Sequence, residues 1–139
     1  MKDVPAEVSE RTGTRIEQAY LTSQRDGPEV RIRRRDGHCT LTIKSVGNLE
    51  RTEVELAISG ADFNALWPLT DGRRLVKTRV DYPLSRGLLA EVDTFDDRAL
   101  ILVEVEFASG EQAREFVPPG WFGRDVTDDP AYKNRNLAR

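Results

Sequence analysis

Along most of the chain, apolar and polar residues alternate with a period of two, the spacing of a strand that turns one face inward and the other outward. The alternation runs through roughly 16–22, 29–35, 38–45, 50–58, 74–82, 87–94 and 99–107, and it predicts seven strands. Asp26-Gly27-Pro28, Asp36-Gly37 and Asp96-Asp97 supply turn residues between some of them. Two stretches break the alternation with helical spacing. Gly60 to Leu69 puts Phe63, Leu66 and Trp67 on one side, and Gly110 to Phe116 is expected to turn Ala113 and Phe116 inward. After Pro118-Pro119-Gly120, Thr127 stands ahead of Asp128-Asp129-Pro130 as the expected N-cap of a final helix. Residues 1–14 are polar and carry Pro5 and Gly13, so they read as a lead-in, with the domain itself spanning 15–139.

The residues that alternate with the apolar ones are unusual. Arg31 and Arg33 share a face, as do Lys77 and Arg79, and Thr40, Thr42 and Lys44. The acids group in the same way: Glu53 with Glu55, Glu91 with Asp93, Glu104 with Glu106, and Arg51 lies in step with the first pair. One such strand would read as the wet side of a half-buried sheet. Grouping by sign argues otherwise, because like charges two apart on one face repel unless an ion or an opposite charge lies between them. Closing the sheet would bring basic and acidic walls together. The expected fold is therefore mainly β, of the α+β class: an antiparallel, tunnel-like β-barrel with a charged interior, its apolar outer face packed by a few short helices.

With 139 residues, 38% hydrophobic and 32% charged, the chain fits one domain. Its 24 acidic and 21 basic residues give a net charge of -3, which argues against general nucleic-acid binding. Any anion site must be concentrated locally. A lone Cys39 gives no disulfide framework, and no Cys/His cluster has zinc spacing, which fits a cytoplasmic protein. No long apolar run suggests a signal peptide or membrane span.

Several Arg and Lys side chains converging on one cavity suit a polyanion, above all phosphates. Glu-x-Glu on a strand can hold Mg²⁺ or Mn²⁺, which bridges to phosphate oxygens and reconciles the two walls. His38, beside Gly37 in a turn, is read as exposed and given no role. Cys39, Trp67 and Trp121 are read as packing residues.

The spacing also resembles the CYTH domain, or triphosphate tunnel metalloenzymes, a family of inorganic triphosphatases, thiamine triphosphatases and class IV adenylate cyclases. The similarity spans about Arg15 to Arg139 and is carried by Ile16-Glu17-Gln18-Ala19-Tyr20-Leu21, Val30-Arg31-Ile32-Arg33, Thr42-Ile43-Lys44 and Arg51-Thr52-Glu53-Val54-Glu55. It continues through Lys77-Thr78-Arg79, Glu91-Val92-Asp93, Glu104-Val105-Glu106-Phe107 and the ending Trp121-Phe122-Gly123, Val126-Thr127, Tyr132, Asn134 and Leu137-Ala138.

The resemblance implies an eight-stranded antiparallel tunnel in which Arg31, Arg33, Lys44, Lys77 and Arg79, with Arg51, bind the triphosphate. Glu104 and Glu106, with Glu53, would hold the metal. Lys77, Tyr20, Glu55, Glu91 and Asp93 would form the catalytic set, the acids orienting the basic side chains or a second metal and its attacking water, and Tyr20 hydrogen-bonding Lys77. The sequence departs from the family at its start: residues 1–14 hold no Glu-x-Glu-x-Lys strand, and Glu7 and Glu10 are three apart. Either the chain begins late relative to a fuller protein or the site is reduced. Ala19 also replaces the family's usual glycine. The implied function is metal-dependent phosphohydrolysis of inorganic or another triphosphate. A class IV type adenylate cyclase is the nearest alternative, and a noncatalytic nucleotide- or polyphosphate-binding module is a third. A missing strand would leave open edges through which a homodimer could form.

Overall fold

The computed structural model describes residues 4–22, 27–46 and 52–139. Seven strands form one sheet: β1 (Thr14–Tyr20), β2 (Glu29–Arg35), β3 (His38–Lys44), β4 (Glu53–Ile58), β5 (Arg74–Pro83), β6 (Leu89–Phe95) and β7 (Ile101–Val105). Their order is β4-β3-β2-β1-β5-β6-β7. Every neighbouring pair is antiparallel. The sheet is not closed among the described residues, so β4 and β7 are its edges. The β2–β3 hairpin turns at Asp36-Gly37, both with positive φ, 50° and 75°, the backbone of a two-residue turn that matches strand twist.

The outer face of the sheet is apolar and covered in two places. On one side α2 (Gly60–Leu66) lays Phe63 against Ala19, Ile32 and Cys39, with Leu66 and Trp67 packed around them. Ser59 starts this helix by accepting a hydrogen bond from the Asp62 amide at 3.0 Å. The expected helix to Leu69 tightens after Leu66 into a 3-10 turn, Trp67–Thr70, at Pro68, whose ring cannot continue an α-helix. On the other side α1 (Ala6–Ser9) inserts Val8 against Ala90 and Val92, and Trp121 and Phe122 pack on the same cluster. The lead-in thus covers part of the sheet. It runs close to β5 at Gly13, where an added Cβ would lie 2.3 Å from the Thr78 methyl.

Two tail expectations need correction. Helix α3 (Gly110–Glu115) forms where expected, but Ala113 is exposed, and Phe116 alone turns in to meet the Phe107 and Phe122 rings. Thr127 does not cap a helix. Its hydroxyl donates to Asp125, while Asp129 caps a 3-10 turn, Pro130–Tyr132, with Pro130 as its first residue. The last helix, α4 (Asn134–Leu137), follows and tucks Leu137 against Leu75 and Phe95. No helix among the described residues is long and apolar enough to cross a membrane.

Candidate active site

In an antiparallel pair, residues directly opposite each other project from the same face. The register therefore gathers the charges. Tyr20 lies opposite Arg31 and Gln18 opposite Arg33, with Thr42 and Thr40 facing those two arginines from β3. Glu55 faces Thr42 and Glu53 faces Lys44. In the other direction, Ile16 faces Lys77 and Thr14 faces Arg79. Arg79 faces Asp93, and Glu91 faces Glu104. Glu106 follows the last residue of β7. Of the residues expected at the site, Arg51 lies outside the described ones, and the others in the strands occupy this inner face.

The face is graded from dry to wet. At its centre Lys77, Asp93 and Arg79 are 0%, 1% and 8% exposed. Asp93 takes all three of the nearest donors: Lys77 Nζ at 2.7 Å, Arg79 Nε at 2.7 Å and Arg79 Nη2 at 2.8 Å. The other arm of Arg79, Nη1, donates to Glu91. Burial alone would raise the Asp93 carboxyl, but the hydrogen bonds from Arg79 and the charge of Lys77 hold it below its ordinary value. Lys77 moves down as well, because burial of its ammonium outweighs the help of an Asp93 that it shares with Arg79. Burial raises Glu91, Arg79 opposes, and Glu104 across the strand pair pushes it up again, leaving it above the ordinary carboxylate range.

Beside this network Arg31 and Arg33 project from β2. Burial and the neighbouring charges of Arg31 and Arg79 lower Arg33 to about 10. Arg31 Nε is buried with no hydrogen-bond partner. Two neighbouring guanidiniums that face Thr42 and Thr40 across the strand pair, not carboxylates, form a pair that an anion would complement. One end of the face is apolar instead: Leu75, Phe95 and Leu137 form a small core with Leu100 and Leu102.

Tyr20 does not reach Lys77. Opposite Lys77 is Ile16, four residues from Tyr20 along β1, about 13 Å at the rise of a strand. The Tyr20 hydroxyl accepts from Gln18 at 2.7 Å, whereas Lys77 donates to Asp93 and, at 3.5 Å, to Asn134 Oδ1 on α4.

The acids are spread over the sheet. Glu53 and Glu55 are exposed on the β4 edge, where Glu55 accepts from Thr42 Oγ1 at 3.4 Å. Glu104 and Glu106 are exposed at the β7 edge. Glu53 thus stands in the opposite edge strand, facing Lys44, and among the described residues no trio of His, Cys, Asp or Glu forms a metal cluster. The facing carboxylates of Glu91 and Glu104 fit a divalent cation better. They are oxygen-only ligands whose charges repel in register, and magnesium needs only one or two carboxylates when water and phosphate oxygens complete its shell.

The chain aligns over 125 residues with an inorganic triphosphatase from Nitrosomonas europaea at 46% identity, covering 88% of this chain and 83% of that one. The chain belongs to the inorganic triphosphatase family. A second member, from Acetivibrio thermocellus, is 30% identical over 131 residues, covering 91% of this chain and 81% of its own length. A solved inorganic triphosphatase structure, 42% identical, superposes with a TM-score of 0.75 over 91% of this chain and 82% of that one. The fold extends further, to a Hippeastrum protein with a dominant triphosphatase activity, with a TM-score of 0.57 at 17% identity, covering 81% of this chain and 79% of that one. No protein-family model matches the chain.

Within this triphosphatase framework, three inner residues escaped the charge pattern. Gln18 and Glu29 share the inner face through the registers Gln18 opposite Arg33 and Glu29 opposite Lys44. Their period-two spacing from Tyr20 and Arg31 was the available signal. Asn134 comes from the tail, which carries no strand period, and only the docking of α4 brings it near Lys77.

Proposed function

We propose that this chain hydrolyses triphosphates, with inorganic triphosphate as substrate, as a member of the CYTH or triphosphate tunnel metalloenzyme group with residues 15–139 as its barrel-like domain. The observation that carries the reading is the shared face of Arg31, Arg33, Lys44, Lys77 and Arg79, together with the partnerless Arg31 Nε and the lowered Arg33. Water attacks the terminal phosphorus, the bond to the bridging oxygen breaks, and orthophosphate and pyrophosphate leave. The basic side chains neutralise charge on the phosphoryl oxygens from fixed positions, so little reorganisation is needed as that charge moves toward the leaving group. Asp93 spends both oxygens on Lys77 and Arg79, which makes it a positioning residue. Glu91 accepts from Arg79 Nη1 and helps to orient that guanidinium. Glu104 and Glu91, with Glu106, would hold a divalent cation, Mg²⁺ or Mn²⁺, which when bound supplies further neutralisation of the phosphate charge.

A half-open cavity of about 290 Å³ lies at one end of this face, lined by Arg33, Arg35, Asp36, His38, Thr40 and Glu55. A cytoplasmic setting belongs to the same reading, since Cys39 is a free thiol buried in the core. The test is phosphate release from tripolyphosphate by purified protein with Mg²⁺ or Mn²⁺, compared with Glu104→Gln. Release by the wild type and its loss in the variant support the proposal. Appearance of cyclic AMP from ATP, or binding without release, would replace it with the cyclase or the binding module.

A further inference from the structure

Gln18 is a neutral side chain, 0% exposed, held among cations on the inner face of β1. Its amide makes two hydrogen bonds whose directions are fixed by chemistry. Arg33 has only donors, so the Gln18 oxygen must face it, and Arg33 Nε donates to Oε1 at 2.9 Å. The amide nitrogen then faces Tyr20, 2.7 Å from its hydroxyl oxygen, and the phenol must accept. Tyr20 has one hydrogen of its own, and this arrangement directs it away from Gln18. Burial, and then the charge of Glu29, raise the phenol to about 12, so it keeps that hydrogen at neutral pH. Arg31 lies opposite Tyr20 on β2, its Nε buried without a partner.

We propose that Gln18 is a positioning residue for the triphosphate: it anchors Arg33 by Nε, leaving the guanidinium fork to the phosphate, and sets the Tyr20 hydroxyl as a donor to the same anion. Bridged by this amide, Arg33 and Tyr20 act as one unit. A phosphate at Arg31 and Arg33 thereby gains a neutral donor besides the charges, and the basic residue keeps its orientation without a carboxylate that would cancel its charge. The inference rests on the triphosphate reading of the site.

The test titrates inorganic tripolyphosphate into the full chain by calorimetry, for the wild type, Gln18→Met, Tyr20→Phe and the double variant, alongside the tyrosine ultraviolet difference spectrum. Gln18→Met is expected to weaken binding on the order of tenfold, the worth of a hydrogen bond to a charged group. In the Tyr20→Phe background the loss should shrink at least threefold, because part of it acts through the phenol. Binding should perturb the tyrosine spectrum in the wild type, not in Tyr20→Phe, and much less in Gln18→Met. If Gln18→Met does not fold, Gln18→Glu replaces it. That carboxylate satisfies both buried neighbours but takes the phenol hydrogen itself, so the spectral change should vanish. Equal losses in both backgrounds, or an undiminished spectrum in the Gln18 variant, overturn the proposal. Wild type that binds tripolyphosphate but releases no phosphate sinks the hydrolase reading alone, whereas wild type that does not bind sinks both.

Discussion

Replacing Asp93 by Asn keeps the shape of the side chain and removes its charge, leaving two cations at 0% and 8% exposure, Arg79 paired with Glu91 and Lys77 with no carboxylate hydrogen bond among the described residues. Asp93 now accepts three hydrogen bonds from those cations. The asparagine could keep at most part of this, since its nitrogen would point a donor at a donor. Removing one partner of a buried ion pair costs about 3–5 kcal/mol, because the stranded charge retains its desolvation penalty. For a chain of this length each kcal/mol lowers Tm by about 3 °C, so Asp93→Asn is expected to melt roughly 10–15 °C lower. Tripolyphosphate should then stabilise the variant more than the wild type, because the ligand supplies the negative charge that Lys77 and Arg79 have lost. Calorimetric melting with and without tripolyphosphate measures both effects. A variant that melts within about 3 °C of the wild type, or gains no more from the ligand, refutes the idea that Asp93 compensates these cations.

The lowered Arg33 predicts a pH dependence of binding. The free site loses this charge as pH rises through about 10, and Lys77 is lowered in the same sense, so affinity for tripolyphosphate should fall toward that pH. A bound anion favours the charged forms, and proton uptake on binding should grow, measurable by calorimetry in buffers of different ionisation enthalpy. On the acid side, the depressed Asp93 contributes stability that is present above its ordinary value of 3.8 and is lost as pH falls through its lower folded value, which melting between pH 5 and about 2 checks. Phe63→Ala empties the centre of the α2 cluster and should cost about 3–5 kcal/mol in denaturant unfolding while leaving the inner face intact. The β4 edge exposes Val54 and Leu56 at 44% and 51%, and we propose that it self-associates. Sedimentation should find an assembly that Leu56→Lys shifts toward monomer, and a monomeric wild type contradicts this.

Much of this architecture was legible because a strand's period of two assigns each residue to a face without further information. Arg31 and Arg33, Lys77 and Arg79, and Glu91 and Asp93 all sit where alternation put them. Register is another matter. Alternation cannot say which residue lies opposite which, and it is register that places Tyr20 beside Arg31 and far from Lys77. Gln18 was passed over because it is uncharged, although it occupies the same face between Ile16 and Tyr20. The apolar end of the inner face, at Leu75 and Phe95, depends on Leu137 arriving from the tail, a contact that no local pattern encodes. Closure of the sheet is equally nonlocal, since it depends on what lies beside the β4 and β7 edges.

The central claim is that one face of this sheet holds the phosphates, and two adjacent arginines can test it. Arg33 projects inward, while Arg34 projects outward, pairs with Glu17 at 2.9 Å and stacks on the Phe63 ring. Phenylglyoxal modification read residue by residue by mass spectrometry should slow at Arg31 and Arg33 when tripolyphosphate is added, and should not change at Arg34 or at the exposed Arg15 and Arg114. Equal protection on both faces, or none at Arg31 and Arg33, would contradict the claim.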